Sequence, residues 1–250
     1  MTYLQFLFLF LGIPLVIVFS FYKKSELPHK KEYRIGIGFL VFLAVSYTTP
    51  WDNYLVKTGV WIYGEGRILG TIGYVPIEEY CFFVLQTILS GLFCFLLQKM
   101  NPLIKNAQKQ NLSKVVAFCY SLFFIVGVVC LNFEKTRYLG LILAWAMPVI
   151  LLQWFFGGNH LLTNSRIFLL STFLPTFYLW VADGLALSWG IWSISETYTI
   201  GVSIGSLPFE EAVFFLVTNL MVSQGVILFV VMENEVAKVI DSLRRVLGLV

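Results

Sequence analysis

Two octapeptides decide how this chain is read: Pro76-Ile77-Glu78-Glu79-Tyr80-Cys81-Phe82-Phe83 and Pro208-Phe209-Glu210-Glu211-Ala212-Val213-Phe214-Phe215. They share Pro-x-Glu-Glu-x-x-Phe-Phe and lie 132 residues apart, and Gly73 meets its match in Gly205 at the same distance. Further upstream, Asp52, Gly59, Val60 and Trp61 return 131 residues later as Asp183, Gly190, Ile191 and Trp192, so one residue is inserted between the blocks. Apolar positions on two helices match easily by chance. An Asp, a Pro and two pairs of Glu in register do not, and the chain is read as a duplication.

The duplicated blocks are set among long apolar runs. Of 250 residues, 58% are hydrophobic and 12% charged, with a mean hydropathy of +0.82; soluble domains carry about a quarter charged residues. Seven apolar segments stand out, near 3–22, 35–49, 77–98, 115–132, 138–156, 167–182 and 208–232. The full-length ones reach the roughly 20 residues needed to cross a bilayer. The first has no basic leader and no small-residue cleavage site, and Lys23-Lys24 follow it directly, so it reads as a retained helix rather than a signal peptide.

The repeat offset carries span one onto five, two onto six and three onto seven, leaving span four as a connector. The expected fold is all-α and transmembrane: a seven-helix bundle of two parallel three-helix repeats joined by a linker helix (3+1+3). Its units are residues 1–98 (first repeat), 99–133 (linker with the fourth helix), 134–232 (second repeat) and 233–250 (cytoplasmic tail), with 234–249 amphipathic. Counting Lys and Arg by loop orients it: thirteen of the seventeen fall on one side, leaving Lys57, Arg67, Lys135 and Arg137 on the other. Basic loops stay cytoplasmic, so the N-terminus is out, the C-terminus is in, and both Glu-Glu motifs lie at the outer side. The expected location is a multi-pass integral membrane protein, in the plasma (inner) membrane of a prokaryote.

Several functions are excluded at this level. The apolar runs leave no room for the basic stripe of a nucleic-acid binder. Two histidines, His29 and His160, cannot build a histidine-rich iron or zinc site, and no metal is expected. Cys81, Cys94, Cys119 and Cys130 form no CxxC pair and read as small hydrophobes. Gly64-x-Gly66 has the wrong spacing for a dinucleotide loop. The last span holds no lysine for a retinal Schiff base, and no DxxxD pair offers a magnesium diphosphate site.

Four glutamates carry the chemistry. Taken alone, each Pro-x-Glu-Glu is a good helix start, because proline fits the first turn and carboxylates favour the positive helix end. Ionisable groups at the edge of a membrane span are costly and functional, and here each pair is followed by Phe82-Phe83 or Phe214-Phe215. Burial favours a protonated carboxyl and the helix end an ionised one, so adjacent carboxyls under opposed pulls can supply an acid and a base together. Neighbours on a helix point about 100° apart, so only one of each pair is expected to face a shared cleft. Asp52 (with Asn53) and Asp183 follow spans that look short for the membrane, which puts them below its surface inside a cavity or simply in the interface. Among the aromatics an interfacial belt explains most; Trp61 and Trp192 recur in both halves and are the rings expected to face a cation through their quadrupoles.

The duplicated Glu-Glu-x-x-Phe-Phe, the Trp51-Asp52-Asn53-Tyr54 block and the Trp61-Ile62-Tyr63-Gly64 block together resemble the membrane-embedded lycopene cyclases, in their fused form and over nearly the whole chain. The resemblance implies redox-neutral cyclisation of the linear ends of lycopene to β-ionone rings, with no cofactor. Glu78, Glu79, Glu210 and Glu211 would share the acid and base roles, and Asp52, Asn53, Asp183, Trp61, Trp192, Phe82, Phe83, Phe214 and Phe215 would support them or hold substrate. Lycopene, bilayer lipid and other carotenoid-pathway membrane enzymes are the implied partners. The halves differ at Val181-Ala182-Asp183-Gly184 against Pro50-Trp51-Asp52-Asn53, so equal roles do not follow. The rival readings are a 3+1+3 small-solute transporter, a cyclase for another carotenoid end group, and a carotenoid-binding scaffold.

Overall fold

A computed structural model describes residues 1–233, in which Pro76 and Pro208 stand at helix starts while Pro50, Pro148 and Pro175 are carried inside helices. Seven helices are long and apolar enough to cross a membrane: α1 (Tyr3–Lys24), α2 (Lys30–Lys57), α3 (Ile77–Leu97), α4 (Asn111–Cys130), α5 (Arg137–Thr163), α6 (Ser165–Ser188) and α7 (Phe209–Val231). Thr2 starts α1 with a capping box, its hydroxyl accepting from the Gln5 amide while the Gln5 side chain accepts from the Thr2 amide. A π turn at Phe8–Gly12 interrupts α1 just before Pro14.

Helices α3 and α7 form the centre. They pack on each other, and each also meets a helix from the other half of the chain, α3 against α6 and α7 against α2. The most apolar window of α7 is 61% buried, whereas that of α4 is 11% buried. So α4 is an outer helix, laid along α5 where Gly127 and Gly140 let the two backbones approach. The outside of the bundle is studded with exposed Phe8, Phe21, Phe42, Phe118 and Phe155, a surface suited to hydrocarbon rather than water.

Short antiparallel ribbons, absent from an all-helical reading, join the helices at one end. β1 (Trp61–Tyr63) pairs with β4 (Trp192–Ile194), with Ile62 opposite Ser193 at its middle. β2 (Thr71–Ile72) pairs with β3 (Val75–Pro76), and β5 (Ser203–Ile204) with β6 (Leu207–Pro208). Gly73 and Gly205, at φ +66 and +63, take the first position of the two-residue loops, where a positive φ is required. Each hairpin feeds directly into the Glu-Glu start of α3 or α7.

Three details differ from the sequence reading. The second and sixth helices are not short: α2 has 28 residues and α6 has 24. Asp52 and Asp183 therefore lie inside helices rather than beyond their ends. The apolar run of α2 stops at Thr48-Thr49-Pro50, but proline removes only one backbone bond, and Thr49 Oγ1 bonds back to the Val45 carbonyl at 2.6 Å. The constant offset also fails between α1 and α5. The Tyr3 amide donates to Arg67 O at 2.9 Å and the Tyr138 amide to Tyr198 O at 3.1 Å, which matches α1 to α5 at a separation of 135. The reason is that α1 and α2 are joined by a loop, while α5 runs into α6 through Asn164 alone. The amphipathic tail read at 234–249 lies outside the described residues.

Candidate active site

The two Glu-Glu pairs split their work. Glu78 Oε1 accepts from the Leu69 amide at 2.8 Å and Glu210 Oε1 from the Ile200 amide at 2.7 Å. The first glutamate of each pair thus ties down the loop ahead of its hairpin. The next residue, a 100° step round the helix, turns to the cavity. Glu79 and Glu211 line one cavity together with Asp183, walled by Trp61, Trp192, Phe82, Phe214 and Phe215. All three carboxyls are buried, and no Lys, Arg or His lines the space among the described residues.

Phenols hold the facing carboxyls. Tyr63 Oη donates to Glu79 Oε1 at 3.0 Å, with the Tyr3 phenol beside the same carboxyl. Tyr138 Oη donates to Glu211 Oε1 at 2.5 Å and itself accepts from Trp61 Nε1 at 2.8 Å. Tyr63 lies on β1, outside the helices. Burial and the nearby Glu79 and Asp52 carboxyls hold its phenol well above its ordinary pKa of 10.0, so it stays a donor.

The aspartates are unequal. Asp183 Oδ1 accepts from Trp192 Nε1 at 3.0 Å. Trp61, which matches Trp192, turns to Tyr138 instead, and both oxygens of Asp52 are buried with no partner among the described residues. Asn53 does not line the cavity: its Oδ1 accepts from the Tyr74 amide at 2.9 Å and its Nδ2 donates to Thr49 O at 2.8 Å, pinning the β2–β3 hairpin. In the other half Gly184 replaces it and Ser206 Oγ donates to the Gly184 carbonyl. Phe83 faces away, into a second space between α2 and α5.

Sequence reasoning passed over Tyr3 and Tyr138, and gave Tyr63 no role beyond the aromatic belt. The signal was present, a tyrosine opening each matched helix, but the 131–132 offset does not align them. At the other end of the bundle, His29, Glu32 and Glu233 bring ligand atoms within 4.8 Å of one another, away from these carboxyls.

A carboxyl pair in an apolar, aromatic enclosure can donate a proton to a weakly basic carbon and take one from a cation. Aromatic rings attract a cation through their quadrupoles.

Known proteins resemble this chain over most of its length. The family model described as "Lycopene cyclase" matches residues 1–97 and 135–229. A "Lycopene beta-cyclase" from Halobacterium salinarum is 41% identical over 233 residues, which is 91% of this chain and 95% of that protein. A "Bifunctional lycopene cyclase/phytoene synthase" from Sporisorium reilianum is 38% identical over 75% of this chain and 29% of that protein. One of the same description from Aspergillus niger is 36% identical over 78% and 34%. No solved structure matches.

Proposed function

Because the chain belongs to the lycopene cyclase family, we infer that it is a lycopene beta-cyclase, closing the linear ends of lycopene to β-ionone rings and giving β-carotene by way of γ-carotene. The observation that carries the mechanism is the single cavity holding Glu79 and Glu211, each bonded by a phenol, among aromatic rings with no cation in its lining.

One carboxyl of the Glu79/Glu211 pair gives its proton to the terminal alkene, leaving a tertiary cation. The internal double bond attacks that cation, forming the ring bond and moving the charge to a ring carbon. The other carboxyl, ionised, removes the neighbouring ring proton, and the electron pair left behind becomes the ring double bond. One proton enters and one leaves, so the reaction is redox-neutral and as written asks for no cofactor. Tyr63 and Tyr138 fix the rotamers of the two carboxyls and stabilise whichever is ionised. Glu78 and Glu210 position the loops, Asp183 and Asp52 adjust the charge of the pair, and water is kept from the cation by Trp61, Trp192, Phe82, Phe214 and Phe215.

We read the architecture as 3+1+3, with repeats 1–98 and 134–232, a linker at 99–133 and a cytoplasmic tail at 233–250. The recurring bonds at Tyr3 and Tyr138, at Glu78 and Glu210, and at Gly64 and Ser195 support two matching units. So does the gap between the two family-matched segments. The basic loops support an outer N-terminus and a multi-pass integral protein, of the plasma membrane in a prokaryote. Its partners are then lycopene, bilayer lipid and other carotenoid-pathway membrane enzymes.

Pigment extraction tests the reaction. Lycopene-producing cells that express this chain should replace red lycopene with a yellow-orange isomer of unchanged mass that co-elutes with β-carotene. Unaltered lycopene, or a product of different mass, would sink the reading.

A further inference from the structure

The carboxyl cavity is not closed towards α2 and α5. Phe82 and Phe214 line it, and the same two rings form the inner end of a larger groove of about 260 Å3 between α2, α3, α5 and α7. Its mouth opens past Leu43, Tyr47 and Leu152, all exposed on the outside of the bundle. α2 and α5 share no extended contact there. Two hydrogen bonds bridge them, from Tyr47 Oη to Trp145 O at 2.9 Å and from Trp51 Nε1 to Leu141 O at 3.1 Å.

The matching helices of the other half, α6 and α1, are bridged in the same way, by Tyr178 Oη to Phe10 O at 2.8 Å. One feature separates the two sides. On the α2/α5 side the rings stack as a ladder from the mouth inwards. Tyr47 lies on Trp145 with centroids 5.9 Å apart and planes at 18°, Trp145 on Trp51 at 4.7 Å and 18°, and Trp51 on Phe214 at 5.8 Å and 10°. Trp61 closes the inner end edge-on to Trp51 and Phe214. On the other side Ala182 stands where Trp51 would be, and the stack is shorter: Phe10 lies on Phe6 at 4.8 Å and 29°, and Phe6 meets Trp192 edge-on.

We propose that the α2/α5 groove is the binding track for the polyene chain of the substrate. One linear end sits between Phe82 and Phe214 against Glu79 and Glu211, while the remainder lies along the Tyr47–Trp145–Trp51 ladder towards the lipid. The proposal rests on the lycopene cyclase reading and adds where the substrate lies. A flat conjugated chain matches stacked ring faces, and a saturated, flexible lipid tail has no use for such a ladder. The track also delivers an apolar molecule from the bilayer to the carboxyls without passage through water, and it holds only one end at the acid at a time.

The test fills the groove midway. Ala44→Trp enters from α2 and Val149→Trp from the facing wall of α5, with Leu169→Trp on the outer face of α6 as the control. Reconstituted protein is assayed with lycopene and with a shortened acyclic isoprenoid bearing the same end but too short to reach Ala44. Both groove variants should raise KM for lycopene by roughly tenfold or more while treating the short substrate as wild type does, the mark of lost binding remote from the chemistry. The control should match wild type on both.

Wild-type kcat/KM for lycopene in both groove variants, the result expected if a lipid tail occupies the groove, would overturn the proposal. Equal loss of both substrates in both variants would also overturn it, since the groove would then matter only to the fold. Glu79→Gln and Glu211→Gln, run alongside, address the underlying reading separately. If both kept full activity on the short substrate the acid–base assignment would fall, whatever the groove variants did.

Discussion

Glu79 and Glu211 each follow a glutamate that is already committed to a backbone amide, and the two positions should answer differently to the same substitution. A glutamine at 78 or 210 still offers an oxygen to Leu69 or Ile200, so Glu78→Gln and Glu210→Gln should retain most cyclisation. A glutamine at 79 or 211 can neither give nor take the proton, and Glu79→Gln and Glu211→Gln should each lose roughly 10²–10⁴-fold in kcat. Initial rates of β-carotene formation in isolated membranes would decide it; equal effects at 78 and 79 would mean that the division of labour is wrong. The phenols act one step removed. Tyr138→Phe takes away the Glu211 bond and leaves the Trp61 indole nitrogen buried without an acceptor, a loss of about 1–3 kcal/mol. It should lower both activity and thermal stability. Tyr63→Phe removes a bond to Glu79 alone and should mainly lower kcat. Because the Tyr63 phenol is held well above 10.0, it stays protonated below that pH. Wild type and Tyr63→Phe should therefore both show an alkaline limb below about pH 10 in a pH–rate profile, displaced upward in the variant because Glu79 loses a donor to its ionised form; a limb present only in wild type would assign the phenol a titrating role.

At the scale of elements, the β1–β4 ribbon is what sets Trp61 and Trp192 over the cavity, and its tightest point is Gly64. The Gly64 amide donates to Ile191 O at 3.0 Å, and a Cβ added there would meet Gly190 O at 2.5 Å and the Arg67 side chain at 2.7 Å. Gly64→Ala should push the strands apart and cost activity out of proportion to the single methyl. Gly66→Ala next to it has open space and carries only the strain of φ +66, about 1–2 kcal/mol. Melting temperatures and product yields of the two variants give the comparison, and an inactive Gly66→Ala beside an active Gly64→Ala would reverse the argument. The ribbon also marks what could be read without coordinates. The helices and the Glu-Glu starts were legible, because apolar length and proline leave local marks in sequence. Trp61 and Trp192 were legible because they recur. The strand pairing was not, since three residues at 61–63 and three at 192–194 carry no alternation long enough to read, and their partner is 131 residues away. Nor was the role of Asn53, because its partner Tyr74 has Ser206 as its match and the bond in the other half runs from that serine to the Gly184 carbonyl. The length of α2 was not legible because its apolar run covers only 35–49, while the helix continues through polar residues at both ends, from Lys30 to Lys57.

On the scale of the whole molecule, the cavity belongs to neither half. Glu79 and Tyr63 come from the first, Glu211, Asp183 and Tyr138 from the second, and Trp61 of the first half donates to Tyr138 of the second. The halves are held together by the β1–β4 ribbon and by the packing of α3 on α6 and α2 on α7. The covalent connection runs elsewhere, through the segment after α3 and then α4, which lies on the outside against α5. That segment is itself pinned to the second half, where Asn164 bonds Ile104 at 2.8 and 2.9 Å and Asn159 accepts from the Gln110 amide at 3.0 Å. A break in it should therefore leave the site intact, since non-covalent contacts position every group that lines the cavity. Co-expressed fragments 1–106 and 107–250 should copurify from membranes and cyclise lycopene at a rate within roughly tenfold of the intact chain, the difference reflecting the loss of effective concentration that a tether supplies. Either fragment alone should be inactive, because each brings only one of the two facing glutamates. Copurified fragments that fail to cyclise would show that the linker does more than tether. A single fragment that cyclises lycopene by itself would show that one glutamate pair is enough, and the shared cavity would lose its place as the catalytic centre.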